Sequence, residues 1–181
     1  IEGYIEALSR EKVNVILSNQ NGIYFDGVGT INIKNFTATT GKVNLQNGDY
    51  VGIDVEKGRV VIGPKGLDGT NADYVSIISK ALELQGSLVA NKLDVVAGSN
   101  IVDKDGNITK KNAVNNSVAI DAHELGSMYA GQVKLIVTDE GAGVKSDSFI
   151  TSRNKKLEIT ADGKIKVNKV QGKGIDIKGK E

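Results

Sequence analysis

The side chains most suited to chemistry in this chain are one histidine, His123, and an alternating run of oxygen-bearing side chains, Asp103, Asp105 and Asn107. His123 stands in "HELGS", where a zinc-protease helix would need a second histidine four residues on; a lone His rarely makes a zinc site. It reads as a surface residue. "VDKDGN" (102–107) has the oxygen spacing that opens a calcium loop, but the position that should hold the bidentate Glu, 114, is Val. A hairpin turn over Asp105-Gly106 fits the same residues better. With no cysteine there is neither a thiolate metal site nor a disulfide. No cofactor or metal is expected.

The remaining charge has no focus. Twenty-three basic and 22 acidic residues nearly cancel, so nothing draws the chain to nucleic acid. Only Arg10, Arg59 and Arg153 carry the forked cation that anion recognition favours; the lysines read as a solvated face that also discourages edge pairing. A polysaccharide-degrading enzyme would cluster carboxylates beside an Arg or Lys base, whereas these acids are spread among turns. A carbohydrate-binding adhesive module would want exposed aromatic platforms, and three Phe and five Tyr give it little material. Both stand as alternatives, the enzyme the weaker, and no catalytic residue is assigned.

Any such groups must be positioned by strands. Aliphatic residues alternate at Val13/Val15/Leu17, Ile31/Ile33, Val43/Leu45, Val51/Ile53/Val55, Leu93/Val95, Val133/Leu135/Val137, Leu157/Ile159, Ile165/Val167 and Ile175/Ile177. Between them lie Asn21-Gly22, Asp26-Gly27, Asn47-Gly48, Asp68-Gly69 and Asp162-Gly163. "QVKLIVTDEG", "KKLEITADGK" and "KGIDIKGKE" place aliphatic pairs at Leu135, Leu157 and Ile175, spacings of 22 and 18 residues. A period near twenty predicts a solenoid coil with about three short strands per turn, an all-β β-helix. Residues 71–84, "NADYVSIISKALEL", fit helix by spacing and strand by composition. Residues 101–119 read as an excursion from the coil. No stretch approaches the ~20 apolar residues of a membrane helix. Residues 1–181 read as one domain. Starting at Ile1 with no signal-peptide pattern, the chain is expected to be an N-terminally incomplete piece of a longer protein.

"VILSNQNGIYFDGVGTINIKNFTATTGK" resembles the signature of the two-partner-secretion domain of filamentous-haemagglutinin-like exoproteins. Asn19, Asn21, Gly22 and Ile23 match its first block, Gly29, Ile31 and Asn32 its second, Thr39, Thr40 and Gly41 its third. Residues 65–100 are similar to the following block, which ends in a Leu-x-Val-Val-x-Gly-x-Asn run. Residues 118–145 resemble the last, with Gly126, Met128, Tyr129, Ala130, Gly131, Gly141 and Val144 in order. Gln20 stands where the family usually has Pro, which forfeits about 0.5–1 kcal/mol through the unfolded state. Phe25 and Val28 occupy positions that are cysteines in many members, and Thr30 replaces the usual Phe.

The resemblance implies a right-handed parallel β-helix with small extra-helical β elements. It implies a non-enzymatic secretion signal, recognised in the periplasm by POTRA domains of an Omp85-class outer-membrane transporter and templating β-helix folding. The exoprotein is then expected at the surface of a Gram-negative cell or outside it, as adhesin, haemolysin or contact-dependent toxin. A receptor on a host or neighbouring cell would be met through the rest of the chain. Asn19, Asn21, Gly22, Ile23, Gly29, Ile31 and Asn32 are the candidate recognition residues. Without the family's preceding segment, this stretch is expected not to be secretion-competent alone. An open last coil is expected to associate end to end unless the chain folds over it.

Overall fold

The computed structural model describes residues 1–180 and contains only strands and turns among them. The strands wind into a coil of three faces. The first face stacks Gly3–Glu6, Val28–Ile31, Leu67–Gly69, the starts of Leu88–Ala97 and Met128–Val137, and the ends of Gly143–Ser152 and Ile165–Gly172. The second stacks Val13–Ser18, Ile33–Thr39, Tyr74–Ser79, the two long strands' ends, Leu157–Thr160 and Ile175–Lys178. Ile23–Phe25, Arg59–Ile62, Ala81–Leu84, Val118–Ala122 and the starts of Gly143–Ser152 and Ile165–Gly172 form the third. All these pairings are parallel, each strand meeting its equivalent one coil away.

Parallel register lines up equivalent residues, so each inward position becomes a column. On the second face one column runs Val15, Phe36, Val75, Leu93, Val133, Leu157, Ile175, and a neighbouring one Leu17, Ala38, Ile77, Val95, Leu135, Ile159, Ile177. The middle members of both are fully buried. Each such aliphatic contributes roughly 1.5–3 kcal/mol, which lets a thin stack without tryptophan hold together. Coils without an excursion are short: Leu67 to Leu88 is 21 residues and Met128 to Ile150 is 22. The expected period is therefore present, with one change of register. Leu135 pairs with Ile159, and it is Val133 that meets Leu157. A two-residue slip keeps the same side chains inward, so alternation alone does not fix it.

Residues 71–84 are two strands, Tyr74–Ser79 and Ala81–Leu84, with the corner at Lys80. Their helix-like spacing has a physical origin. Val75 and Ile77 face the coil interior, while Ile78 faces outward and is buried too, under a second sheet. That sheet is antiparallel, in the order Ile108–Lys110, Asn100–Asp103, Asp49–Val55, Lys42–Gln46. It joins two excursions, 42–55 and 100–110, that leave the second and fourth coils between the second and third faces, on either side of the coil that turns directly at Lys80. Ile53, Val55 and Val102 pack against Ile78 and Val96. The hairpin tipped by Asp105-Gly106 is where the sequence placed it and spans 100–110, while residues 118 and 119, read into the same excursion, already belong to the coil strand Val118–Ala122. The alternating run 43–55, read as coil strands, lies outside the coil, because its apolar face covers the coil's outer side.

The Asp103 carboxylate is taken up in closing its own turn. Oδ1 accepts from the Asp105 and Asn107 amides, both at 2.9 Å, and Oδ2 accepts from the Asn107 side-chain amide at 2.9 Å. Gly106 supplies the positive φ of 84°. The Asn107 side chain, followed by its backbone amide, holds the Asp103 carboxyl below its ordinary value. A depressed carboxylate supports the turn above the unfolded-chain value and releases it as pH falls through its own lower one. NMR titration of Asp103 should give a midpoint below the usual carboxylate range, moving upward in Asn107→Ala.

Candidate functional site

Asn19, Asn21, Gly22 and Ile23 form the corner between the second and third faces of the first coil. The Asn19 amide donates to Thr39 O (3.0 Å), tying the corner to the coil beside it. The Asn21 amide donates to Asn19 Oδ1 (3.0 Å), and the Gly22 amide to Asn19 O (3.1 Å). An Asn side chain closing its own turn is the local reason for that residue type. Gly22 has φ +123°, and a Cβ there would lie 3.0 Å from Arg59 O. Ile23 turns inward above Val60 and is buried. Asn19, Gln20 and Asn21 remain exposed. Beside them a hollow of about 160 Å³ is lined by Gln20, Thr40, Lys42, Asp54, Glu56 and Lys57. The Lys111 ammonium bridges Asp54 and Glu56 at its edge.

Gly29, Ile31 and Asn32 lie elsewhere, at the corner between the first and second faces of the second coil. Gly29 sits opposite Tyr4, whose ring would be 2.6 Å from a Cβ. Ile31 points outward, 36% exposed. Asn32 adopts φ +58° and its Nδ2 donates to Ala7 O and Ser9 O, both at 2.7 Å. Asn91 repeats the arrangement two coils on, donating to Thr70 O and Ala72 O at 2.7 and 2.8 Å. The seven residues thus occupy two corners, and of them Asn19, Asn21 and Ile31 present side chains to solvent. Asn32→Ala loses both bonds and leaves a Cβ-bearing residue in the left-handed region; about 2 kcal/mol of stability should go, with Asn32→Gly milder. Urea denaturation of the two variants checks this.

A polar column not foreseen from the sequence lines the corner from which both excursions depart. Thr39 Oγ1 donates to Ile78 O (2.6 Å) and accepts from the Gly41 amide (2.9 Å); Thr40 Oγ1 accepts from the Lys80 amide (3.2 Å). The Lys80 ammonium reaches Asp139 Oδ2 at 2.5 Å and Ser99 Oγ at 2.7 Å. Asp139, fully buried, also accepts from the Ser99 amide at 2.6 Å. Asn100 donates to Gly98 O and Thr138 Oγ1. The Thr39–Gly41 and Gly98–Asn100 motif segments are therefore the material of this corner. Partners 40 and 59 residues apart leave no local pattern that would reveal them.

On the outer side of the third face, His123 is half-exposed, 3.3 Å from Glu83 Oε1 and 3.8 Å from Asp121 Oδ2. Arg59 pairs with Glu83 at 2.9 Å, and Lys145 with Asp147 at 2.6 Å and Asp121 at 3.7 Å. Opposite charges alternating across coils make a solvated ladder, and among the described residues no hydroxyl nucleophile is hydrogen-bonded to His123. Among the described residues no group of three or more His, Asp or Glu is placed to hold a metal ion.

Three relatives carry names from contact-dependent inhibition. Toxin CdiA of Yersinia pestis is 38% identical over 175 residues, covering 94% of this chain and 5% of its own length. The 16S rRNA endonuclease CdiA of Enterobacter cloacae is 38% identical over 168 residues, 91% and 5% respectively. The tRNA nuclease CdiA of Escherichia coli NC101 is 34% identical over 190 residues, 99% and 6%. The chain thus spans about one-twentieth of the curated relatives it matches, and their nuclease names describe proteins of which it matches only that share. The crystal structure of the filamentous hemagglutinin secretion domain superposes with a TM-score of 0.84 at 25% identity, covering 98% of this chain and 70% of that one. Coil, excursions and motif corners occur together over the residues, 1–167, that match the TPS secretion domain family, a secretion family and not a catalytic one; the chain belongs to that family.

Proposed function

We propose that this chain is the recognition module by which a large exoprotein is selected for export across a Gram-negative outer membrane. The partner is an Omp85-class transporter, met in the periplasm through its POTRA domains, and the destination is the cell surface or the medium. The observation that carries this reading is the match to the secretion-domain family over residues 1–167. The Asn19–Gly22 corner supports a contact role for its side chains: the turn is fixed by backbone and Asn19 bonds, yet Asn19 and Asn21 face water. At the separate corner of the second coil, Ile31 offers a second candidate contact, with Asn32 holding the backbone beneath it.

The same reading includes templating of β-helix folding: every coil pairs in parallel with the one before it, so a formed coil offers its backbone groups and inward columns as the register for the next.

Export of an exoprotein carrying this chain tests the reading. Asn19→Asp with Asn21→Asp keeps the shape of the side chains and adds charge at the proposed contact. Export should fall roughly tenfold, as expected when a contact of about 1.4 kcal/mol is lost, while the circular dichroism of the purified double variant matches the original. Undiminished export from that variant would remove the corner from the recognition surface.

A further inference from the structure

Most motif residues of block 118–145 have a visible packing task. Met128, Ala130 and Val144 are in the core. A Cβ on Gly126 would lie 2.1 Å from Leu84 O, one on Gly131 would lie 2.5 Å from Asn91 O, and Gly141 has φ +76°. Tyr129 is the exception. It points out from the first face, 40% exposed, and its hydroxyl has no hydrogen-bond partner among the described residues.

Tyr129 lies in register between Val89 on one coil and Thr151 on the next. With Phe149, 53% exposed, these residues line an open hollow of about 370 Å³. Two cations frame it. The Arg153 guanidinium stacks 4.8 Å over the Tyr129 ring, and the Lys169 ammonium 4.8 Å over Phe149. Among the described residues neither has a carboxylate within 4.0 Å, unlike Lys145 and Lys156, which do. The antiparallel sheet covers the second face, and further coils at either end would stack along the axis. This flank stays open in both cases.

We propose that this flank is a second docking surface for the transporter, taking an extended segment that sets an apolar side chain into the hollow and carboxylates over Arg153 and Lys169. The proposal rests on the recognition reading above and names the chemistry of the partner's contact. Aromatic floors flanked by Arg are where binding energy concentrates, and unpaired cations call for an acidic partner. A second copy of this chain fits poorly, because a two-fold pairing centred on the hollow would set one copy's two cations against the other's.

The test measures binding of the purified chain to the intact detergent-solubilised transporter by biolayer interferometry. The variants are Arg153→Glu with Lys169→Glu, and Tyr129→Ser with Phe149→Ser, each checked for folding by circular dichroism. All four side chains point outward, so the coil should persist. Charge reversal is expected to weaken binding at least tenfold and to flatten its salt dependence, and loss of the two rings to weaken it to a similar degree. Wild-type binding that both variants match within about twofold overturns the flank and leaves the corner reading standing. No binding by the wild type overturns both. A wild-type dimer in sedimentation that Tyr129→Ser dissolves would seat a second copy on the hollow and overturn the assignment to the transporter.

Discussion

Phe25→Ala should lower the unfolding free energy by about 4 kcal/mol. Phe25 is fully buried and lies in register with Ile62 on the third face. Its ring meets Phe36 edge-on, with centroids 6.0 Å apart and planes at 69°. It therefore spans the interior from third face to second, where the stack has no other aromatic pair among the described residues. Truncation leaves a void that strands fixed by hydrogen bonds on both sides close only partly. Because coils contact only their neighbours, the damage should centre on the first two coils. Urea denaturation should show a lower midpoint, and hydrogen exchange should show faster exchange at Val13–Ser18 than at Met128–Val137. A loss under about 1 kcal/mol would mean that the interior collapses around the missing ring.

Asp139→Ala is expected to cost about 3 kcal/mol, because it strands a half-buried ammonium and the Ser99 amide at once. Lys80→Met should be comparably harmful, since it leaves the fully buried Asp139 carboxylate with one amide donor. The double variant should recover about 2 kcal/mol relative to the sum of the two, as partners in one network do. A double-mutant cycle in urea measures it. An additive result would show that Lys80 and Asp139 act separately despite their 2.5 Å approach.

How much of this was legible in the sequence follows from the reach of each interaction. Alternation marked the inward residues of the columns, and positive-φ dipeptides marked corners such as Asn21-Gly22. The hairpin around Asp105-Gly106 was visible because its turn chemistry lies within five residues. Residues 43–55 were misplaced because alternation says that one face is buried, not what buries it. Residues 71–84 mimicked a helix because both faces of Tyr74–Ser79 are covered. The pairing of Leu135 with Ile159 escaped because slips by two are equivalent on a period of two. The Lys80–Asp139 corner and the Tyr129 flank depend on residues from different coils. No local pattern joins them.

The recognition corner divides in the same way. Gly22 and Asn32 could be justified residue by residue, as backbone positions needing a left-handed φ. That Asn19, Asn21 and Ile31 face water while Ile23 and Gly29 are buried required the coil itself.

The affinity of this chain for the intact transporter is the measurement closest to the central claim. The prediction is saturable binding that the Asn19→Asp, Asn21→Asp double variant loses at least tenfold while retaining its circular dichroism spectrum. Absence of saturable binding by the wild-type chain, folded and at concentrations well above those of the assay's positive control, would contradict it.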